Sequence, residues 1–206
     1  MDYLIFTSIG YFVGSLPFGL IIGRLTNKID VRRYGSGSTG MTNVWRTVGW
    51  PAASVVLILD MSKSMFVISI ATIFSTSPNV VVMAAMSALV GHIWPIFCRF
   101  KGGKGTATGW GGLLILSPIS GIVGGMIGIS TAIFTRWVSL GSLIGAATGG
   151  MIFVILSLVN KDPVPYIFYG IAAPTLIFIM HRDNIGRLLR GKERKIGQPA
   201  TEVHTR

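Results

Sequence analysis

Residues 79–105 read NVVVMAAMSALVGHIWPIFCRFKGGKG, and the way this stretch divides decides the fold. Residues 79–97 contain no Asp, Glu, Lys or Arg. A helix of that length rises about 28 Å at ~1.5 Å per residue, close to the ~30 Å hydrocarbon core of a bilayer. The next residues reverse the character: Arg99, Lys101 and Lys104 are interleaved with Gly102, Gly103 and Gly105. An apolar span that ends in a basic, glycine-rich loop is therefore the unit to look for along the chain.

The unit recurs. Residues 3–23 form an apolar run in which Pro17 is expected to kink a helix, because proline removes one backbone donor. Residues 51–76 form a second, interrupted by Asp60 and Lys63, and residues 138–159 and 164–180 form two more. Residues 106–134 are apolar throughout, with Pro118 near the middle. Half of the residues are hydrophobic and only 12% are charged, against roughly 25% in soluble domains. Lipid is the expected main solvent. The 18 basic and 7 acidic residues give a net charge of +11. These bases sit between apolar runs, which favours membrane topology and anionic substrates over nucleic acid. Cys98 is the single cysteine, so no internal disulfide is expected. Residues 1–23 lack a basic leader and a small-residue cleavage site, and read as a retained helix rather than a signal peptide.

Charge fixes the expected orientation. Loops 24–50 and 99–104 and the tail from His181 are strongly basic, which places them in the cytoplasm. The N-terminus carries Asp2 and no basic side chain, and is expected outside. Loop 99–104 and Arg136 then share a side, so residues 106–134 leave and return as two short helices hinged at Ser117-Pro118. The expectation is an all-α integral membrane protein of about seven transmembrane helices, N-terminus outside and C-terminus cytoplasmic. Residues 1–206 make one domain, and 181–206 a basic tail whose end is expected to be disordered. The small-residue spacings of Gly121, Gly125, Gly141, Gly145 and Gly149 favour internal helix packing over dimerisation.

Three segments carry chemistry. In the first, Gly35, Gly37 and Gly40 permit positive φ, so that successive N–H groups can face one concavity. Ser36, Ser38, Thr39, Thr42 and Asn43 add donors, and Arg46 adds a planar fork for phosphate or carboxylate. In the second, Lys101 and Lys104 bracket glycines just before an apolar helix, an ordinary arrangement for anion binding, although not a Walker A loop. In the third, a helix continuing through the tail would set His181, Asn184 and Arg187 on one face. Asp60 and Lys63 read either as functional intramembrane charges or as a self-paired couple. His92 reads as a structural, hydrogen-bonding histidine.

Together these segments resemble the acyl-phosphate:glycerol-3-phosphate acyltransferase family of bacterial membranes. The family pattern S-G-N-x-G-x-T-N appears as SGSTGMTN over residues 36–43, followed by Arg46. The pattern G-H-x-x-P-x-F, then F-K-G-G-K-G-x-A-T, is matched between Gly91 and Thr108. H-x-x-N-I-x-R-L-x-x-G-x-E is matched from His181 to Glu193. Two positions depart from the pattern: Ser38 replaces an asparagine, and Ser64 stands where glycine commonly follows the lysine.

The resemblance implies transfer of a fatty acyl group from acyl phosphate to the 1-hydroxyl of glycerol 3-phosphate. The products are lysophosphatidic acid and phosphate, formed at the inner membrane without a cofactor, and the acyl-phosphate-producing enzyme is a candidate partner. Ser36, Lys104, His181 and Asn184 are then the expected catalytic residues. Arg46, Asn43, Gly37, Gly40, Lys101, Gly102, Gly103, Gly105 and Thr106 are expected to bind substrate, the amides of 102–105 cradling the acyl phosphate. Ser38, Asp60, Lys63, His92, Arg187 and Glu193 are further candidates. The residues themselves agree: no histidine has an aspartate five positions on, since His92 leads to Phe97 and His181 to Gly186. With so little acid–base equipment, an already activated donor is the economical reading, and positioning supplies most of the catalysis. A transporter of organophosphates is the rival, but the sequence shows no internal repeat of the kind such proteins use.

Overall fold

The structure, a computed structural model, describes residues 1–202. The expectation of a disordered end bears on residues 203–206, which lie outside the described residues. The chain is helical, with α1 (Asp2–Gly14), α2 (Phe18–Asn27), α3 (Met41–Thr47), α4 (Trp50–Phe74) and α5 (Pro78–Ile93) in its first half. The second half contains α6 (Thr106–Leu116), α7 (Pro118–Thr135), α8 (Val138–Asn160), α9 (Val164–Met180) and α10 (Arg182–Leu189). Among the described residues the only β feature is an isolated bridge between Tyr34 and Glu202.

Local chemistry sets these boundaries. Helices α4, α5, α7 and α9 carry a proline in the first turn, where its missing N–H costs nothing and its fixed φ suits the helix. Pro17 does more than kink its helix: α1 stops at Gly14 and α2 starts at Phe18. Asp2–Asn27 nevertheless remains one apolar run. The break in 106–134 falls at the expected place, with Ser117 extended between α6 and α7.

Five helical runs are long and apolar enough to cross a membrane: Asp2–Asn27, Trp50–Phe74, Pro78–Cys98, Pro118–Thr135 and Val138–Asn160. The pair α9 and α10, bent by 63°, makes a sixth if taken as one broken span. Helix α6 is apolar but has only 11 residues, about 16 Å at ~1.5 Å per residue.

Helix α5 stands in the middle. Val80, Val81, Val82, Ala84, Ala85, Ala88 and Leu89 are all buried, and a helix apolar on every side belongs at a core. Helix α1 lies against it so closely that a Cβ on Gly14 would sit 2.2 Å from the Ala88 carbonyl oxygen. Helices α7 and α8 touch in the same way: a Cβ on Gly124 would meet the Gly149 Cα at 2.7 Å. The glycine stripe thus serves internal packing. Ile58, Ile73, Phe74, Ile133, Phe134 and Val159 are more than 60% exposed, as expected of side chains that lipid covers.

Candidate active site

The basic loops meet at one end of the bundle. Thr39 N donates to Gly102 O, which joins the first loop to the second. Residues 191–202 fold back over the first loop, α3 and the end of α7: Gly35 N donates to Thr201 O, Ala200 N to Arg46 O, and Ile196 N to Arg136 O. Beneath this junction lies a cavity of about 510 Å³. Its polar part is lined by Ser36, Ser38, Arg46, Lys104, His181 and Asn184. Its apolar flank runs along Trp110 and the glycines of α7 and α8.

Three segments spread over more than a hundred residues of sequence therefore converge as expected, but not every expected contact survives. The first loop does not present a row of free amides. Ser36 N donates to Asn43 Oδ1, Gly37 N to Tyr34 O, and Gly40 N to Ser38 Oγ. Gly37 adopts φ +70°, whereas Gly40 is ordinary at −75°. Asn43, only 2% exposed, donates Nδ2 to Val31 O and Ser38 O. It organises the loop, and the Ser36 and Ser38 hydroxyls with Arg46 are left to face the cavity. Arg46 is steadied by one Nη2 contact to Arg194 O, at 3.0 Å.

The second loop differs from expectation in a related way. The amides of Gly102 and Gly103 donate to Ile93 O and His92 O at the end of α5. They are spent on closing the chain and cannot cradle an anion. Of the expected binding residues, Gly37, Lys101, Gly102 and Gly103 do not line the cavity, and Lys101 is exposed. Gly105, at φ +86°, turns the chain into α6 and lines the cavity beside Thr106 and Lys104.

In the third segment the helix does not continue straight. It bends at His181, and both His181 and Asn184 are 4% exposed on the cavity wall. His181 Nδ1 lies 2.8 Å from Ile177 O. A carbonyl only accepts, so Nδ1 carries the proton and the neutral ring offers Nε2 as an acceptor. Burial, then the Lys104 charge, lowers the His181 pKa to about 4. Lys104 Nζ donates to Asn184 Oδ1, and burial followed by Arg187 lowers its pKa to about 8. Asn184 Nδ2 and Ser139 Oγ both donate to Glu193 Oε1, at 2.7 and 3.0 Å, while Arg187 Nε donates to Oε2 at 2.7 Å. Burial raises the Glu193 pKa, but the Arg187, Asn184 and Ser139 hydrogen bonds and the Arg187 charge outweigh it and hold the carboxyl below its usual range. Ser139, on α8, was not foreseen. A lone serine in an apolar run gives no signal until its partner is known.

A second cluster lies deeper. Lys63 Nζ is 2.7 Å from Asp60 Oδ1 and 3.2 Å from His92 Nδ1, and the three residues are at most 5% exposed. The expected Asp60–Lys63 couple is thus a trio with His92, and Phe18 covers the ammonium at 4.9 Å. Asp60 and His92 reach the cavity; Lys63 does not. Ser64, the second departure from the motif, is fully buried and its Oγ has no hydrogen-bond partner among the described residues.

Known proteins share this sequence and architecture. The glycerol-3-phosphate acyltransferase family profile matches residues 4–191. Glycerol-3-phosphate acyltransferase 3 of Dehalococcoides mccartyi is 40% identical, over 95% of this chain and 96% of its own. The glycerol-3-phosphate acyltransferase of Desulforamulus reducens is 38% identical, over 93% and 94%. The crystal structure of PlsY, an integral membrane glycerol 3-phosphate acyltransferase, in its glycerol 3-phosphate form matches with a TM-score of 0.87 at 32% identity, covering 96% of each chain. Its lysophosphatidic acid form matches with a TM-score of 0.85, covering 96% of this chain and 97% of that one. With the profile spanning nearly the whole chain and the fold shared throughout, this multi-pass membrane protein belongs to the glycerol-3-phosphate acyltransferase family.

Proposed function

We propose that the enzyme transfers a fatty acyl group from acyl phosphate to the 1-hydroxyl of glycerol 3-phosphate, releasing lysophosphatidic acid and inorganic phosphate. The observation that carries this reading is one cavity joining a cationic, hydroxyl-rich end to an apolar flank between helices. Arg46 and Lys104 match phosphate oxygens in charge, and the Ser36 and Ser38 hydroxyls add donors. The apolar flank suits an acyl chain that remains partly in lipid.

The chemistry asks little of the protein. Acyl phosphate is a mixed anhydride: the hydroxyl oxygen attacks its carbonyl, a C–O bond forms, and phosphate leaves with the electron pair. Lys104, held by Asn184, neutralises charge developing on the leaving phosphate. A substrate phosphate oxygen takes the hydroxyl proton. His181 Nε2, an acceptor on a neutral ring, is the alternative base and orients the hydroxyl in either case.

The topology belongs to the same proposal: seven membrane segments, N-terminus outside, basic loops and tail cytoplasmic, in the bacterial inner membrane. Contact between Arg136 and Ile196 supports it, because it brings the end of α7 back to the side of the basic loops. The enzyme that makes acyl phosphate would meet this face. An organophosphate transporter fits less well, since the cationic residues gather at one end of the bundle.

Purified protein supplied with palmitoyl phosphate and glycerol 3-phosphate is expected to form lysophosphatidic acid. Product made only from acyl-CoA would refute the donor assignment. Lys104→Ala should reduce turnover at least a hundredfold, with folded yield preserved; near-normal rates would remove Lys104 from the site.

A further inference from the structure

We infer that His92 is a phosphate-contacting residue whose Nε2–H is turned to the cavity and held there by the Asp60–Lys63 pair. This rests on the acyltransfer reading above and adds a donor to its anion site.

The argument begins with what an ammonium can do. Lys63 lies 2.7 Å from the Asp60 carboxylate, so it is the cation of an ion pair. An ammonium has donors and no acceptor. Asp60 Oδ1 lies farther from His92 Nδ1, at 3.5 Å, and takes no hydrogen bond from it, so the 3.2 Å contact from Lys63 assigns the lone pair to Nδ1. In a neutral imidazole the proton is then on Nε2. The tautomer is set from 29 residues away, by a pair on α4 acting on the last turn of α5.

Nε2 is left available. It makes no hydrogen bond among the described residues, although His92 is 5% exposed and lines the cavity. Nε2 is not one of the buried side-chain atoms left without a partner, so a ligand can reach it, and an anion in the cavity gains a donor there. The neighbouring chain is arranged accordingly. A Cβ on Gly103 would lie 2.0 Å from Nε2, so any side chain there would cover or displace the nitrogen. Only glycine at 103 fits against this ring edge, and Lys104 follows immediately. Gly102 serves the same approach, since its Cβ would meet His92 O at 2.2 Å. Gly102 and Gly103 thus make room for the histidine ring and do not present amides. The ligand is a phosphate group, carried by either substrate.

Asparagine and glutamine separate this role from a structural one. An asparagine amide occupies roughly the place of Nδ1, and a glutamine amide that of Nε2. His92→Gln, which keeps a donor at the cavity, should stay within about threefold of the parent. His92→Asn, which keeps an acceptor for Lys63, should raise KM about tenfold to a hundredfold, the range for a lost hydrogen bond to a charged group. KM is measured separately for glycerol 3-phosphate and for palmitoyl phosphate, and the substrate whose KM rises is the one contacted. The reverse order, Asn active and Gln impaired, or no rise in either KM, would overturn the inference. Histidine ¹⁵N spectra of the folded parent give a test that no variant can spoil. Nδ1 should be unprotonated, Nε2 protonated, and Nε2 should shift when inorganic phosphate is added. A protonated Nδ1 in a neutral His92 ring, told apart from the His181 ring by its loss in His92→Gln, refutes the proposal. Parent activity with palmitoyl phosphate tests the acyltransfer reading itself, so the two failures are distinct.

Discussion

Asn184 donates through Nδ2 to Glu193 Oε1 at 2.7 Å, and this bond decides which end of its amide faces Lys104. A carboxylate only accepts and an ammonium only donates, so the amide has one orientation that satisfies both. Asn184 thereby passes the position of a buried carboxylate to the ammonium at the cavity, while Ser139 and Arg187 keep the carboxylate in place.

The Lys104 pKa of about 8 predicts the alkaline limit of activity. The ammonium is the charged form, so it persists below that value and is lost as pH rises through it. The profile of kcat/KM should fall above about pH 8, since it reports the free enzyme. A profile flat to pH 10 would show that the Lys104 charge is not used.

Glu193→Gln tests the relay. The Glu193 charge raises the Lys104 pKa, so its removal should move the alkaline limb to lower pH. The substituted amide keeps one acceptor oxygen where the carboxylate had two, so either Asn184 or Arg187 loses its partner, and turnover should fall about tenfold to a hundredfold. Arg187→Gln removes a like charge and should move the limb upward. Limbs that do not separate between the two variants would show that Lys104 is electrostatically independent of both.

Gly145→Ala probes the contact of α7 with α8. The added Cβ would lie 2.9 Å from Gly124 O and 3.0 Å from Gly128 Cα, backbone atoms with no easy retreat. We expect a loss of about 1–3 kcal/mol, the usual cost of overpacking. A thermal unfolding midpoint in detergent equal to the parent's would show that the helices separate freely.

Ser38→Asn restores the residue of the family motif and should change the rate less than threefold. Ser38 Oγ accepts from Gly40 N at 3.2 Å, the turn that an asparagine carbonyl makes equally well. A tenfold loss would show that substrate uses the hydroxyl itself.

Hydropathy made the helices legible: every apolar run became helical, divided only at Pro17 and at the hinge at Ser117-Pro118, where proline breaks the backbone ladder. The cavity residues Ser36, Arg46, Lys104, His181 and Asn184 were legible because charge, glycine and hydroxyl groups have no other business between apolar spans. What sequence could not show was where backbone groups spend themselves. Whether Gly102 N serves an anion or Ile93 O depends on how the loop meets α5. The return of residues 191–202 rests on main-chain bonds such as Ala200 N to Arg46 O, which no side-chain pattern announces. His92 joined Asp60 and Lys63 only through the packing of α5 on α4, a contact without periodic signature.

The cavity has a cationic end and an apolar flank along α7 and α8, and this sets the unit in which its donor is counted. An amphiphile that enters from lipid arrives in proportion to its mole fraction among lipids, whereas glycerol 3-phosphate arrives in proportion to its molarity in water. Diluting the bilayer with inert lipid should therefore slow the enzyme even when neither substrate's total amount changes. A flux set in this way follows the composition of the membrane that the product goes on to build.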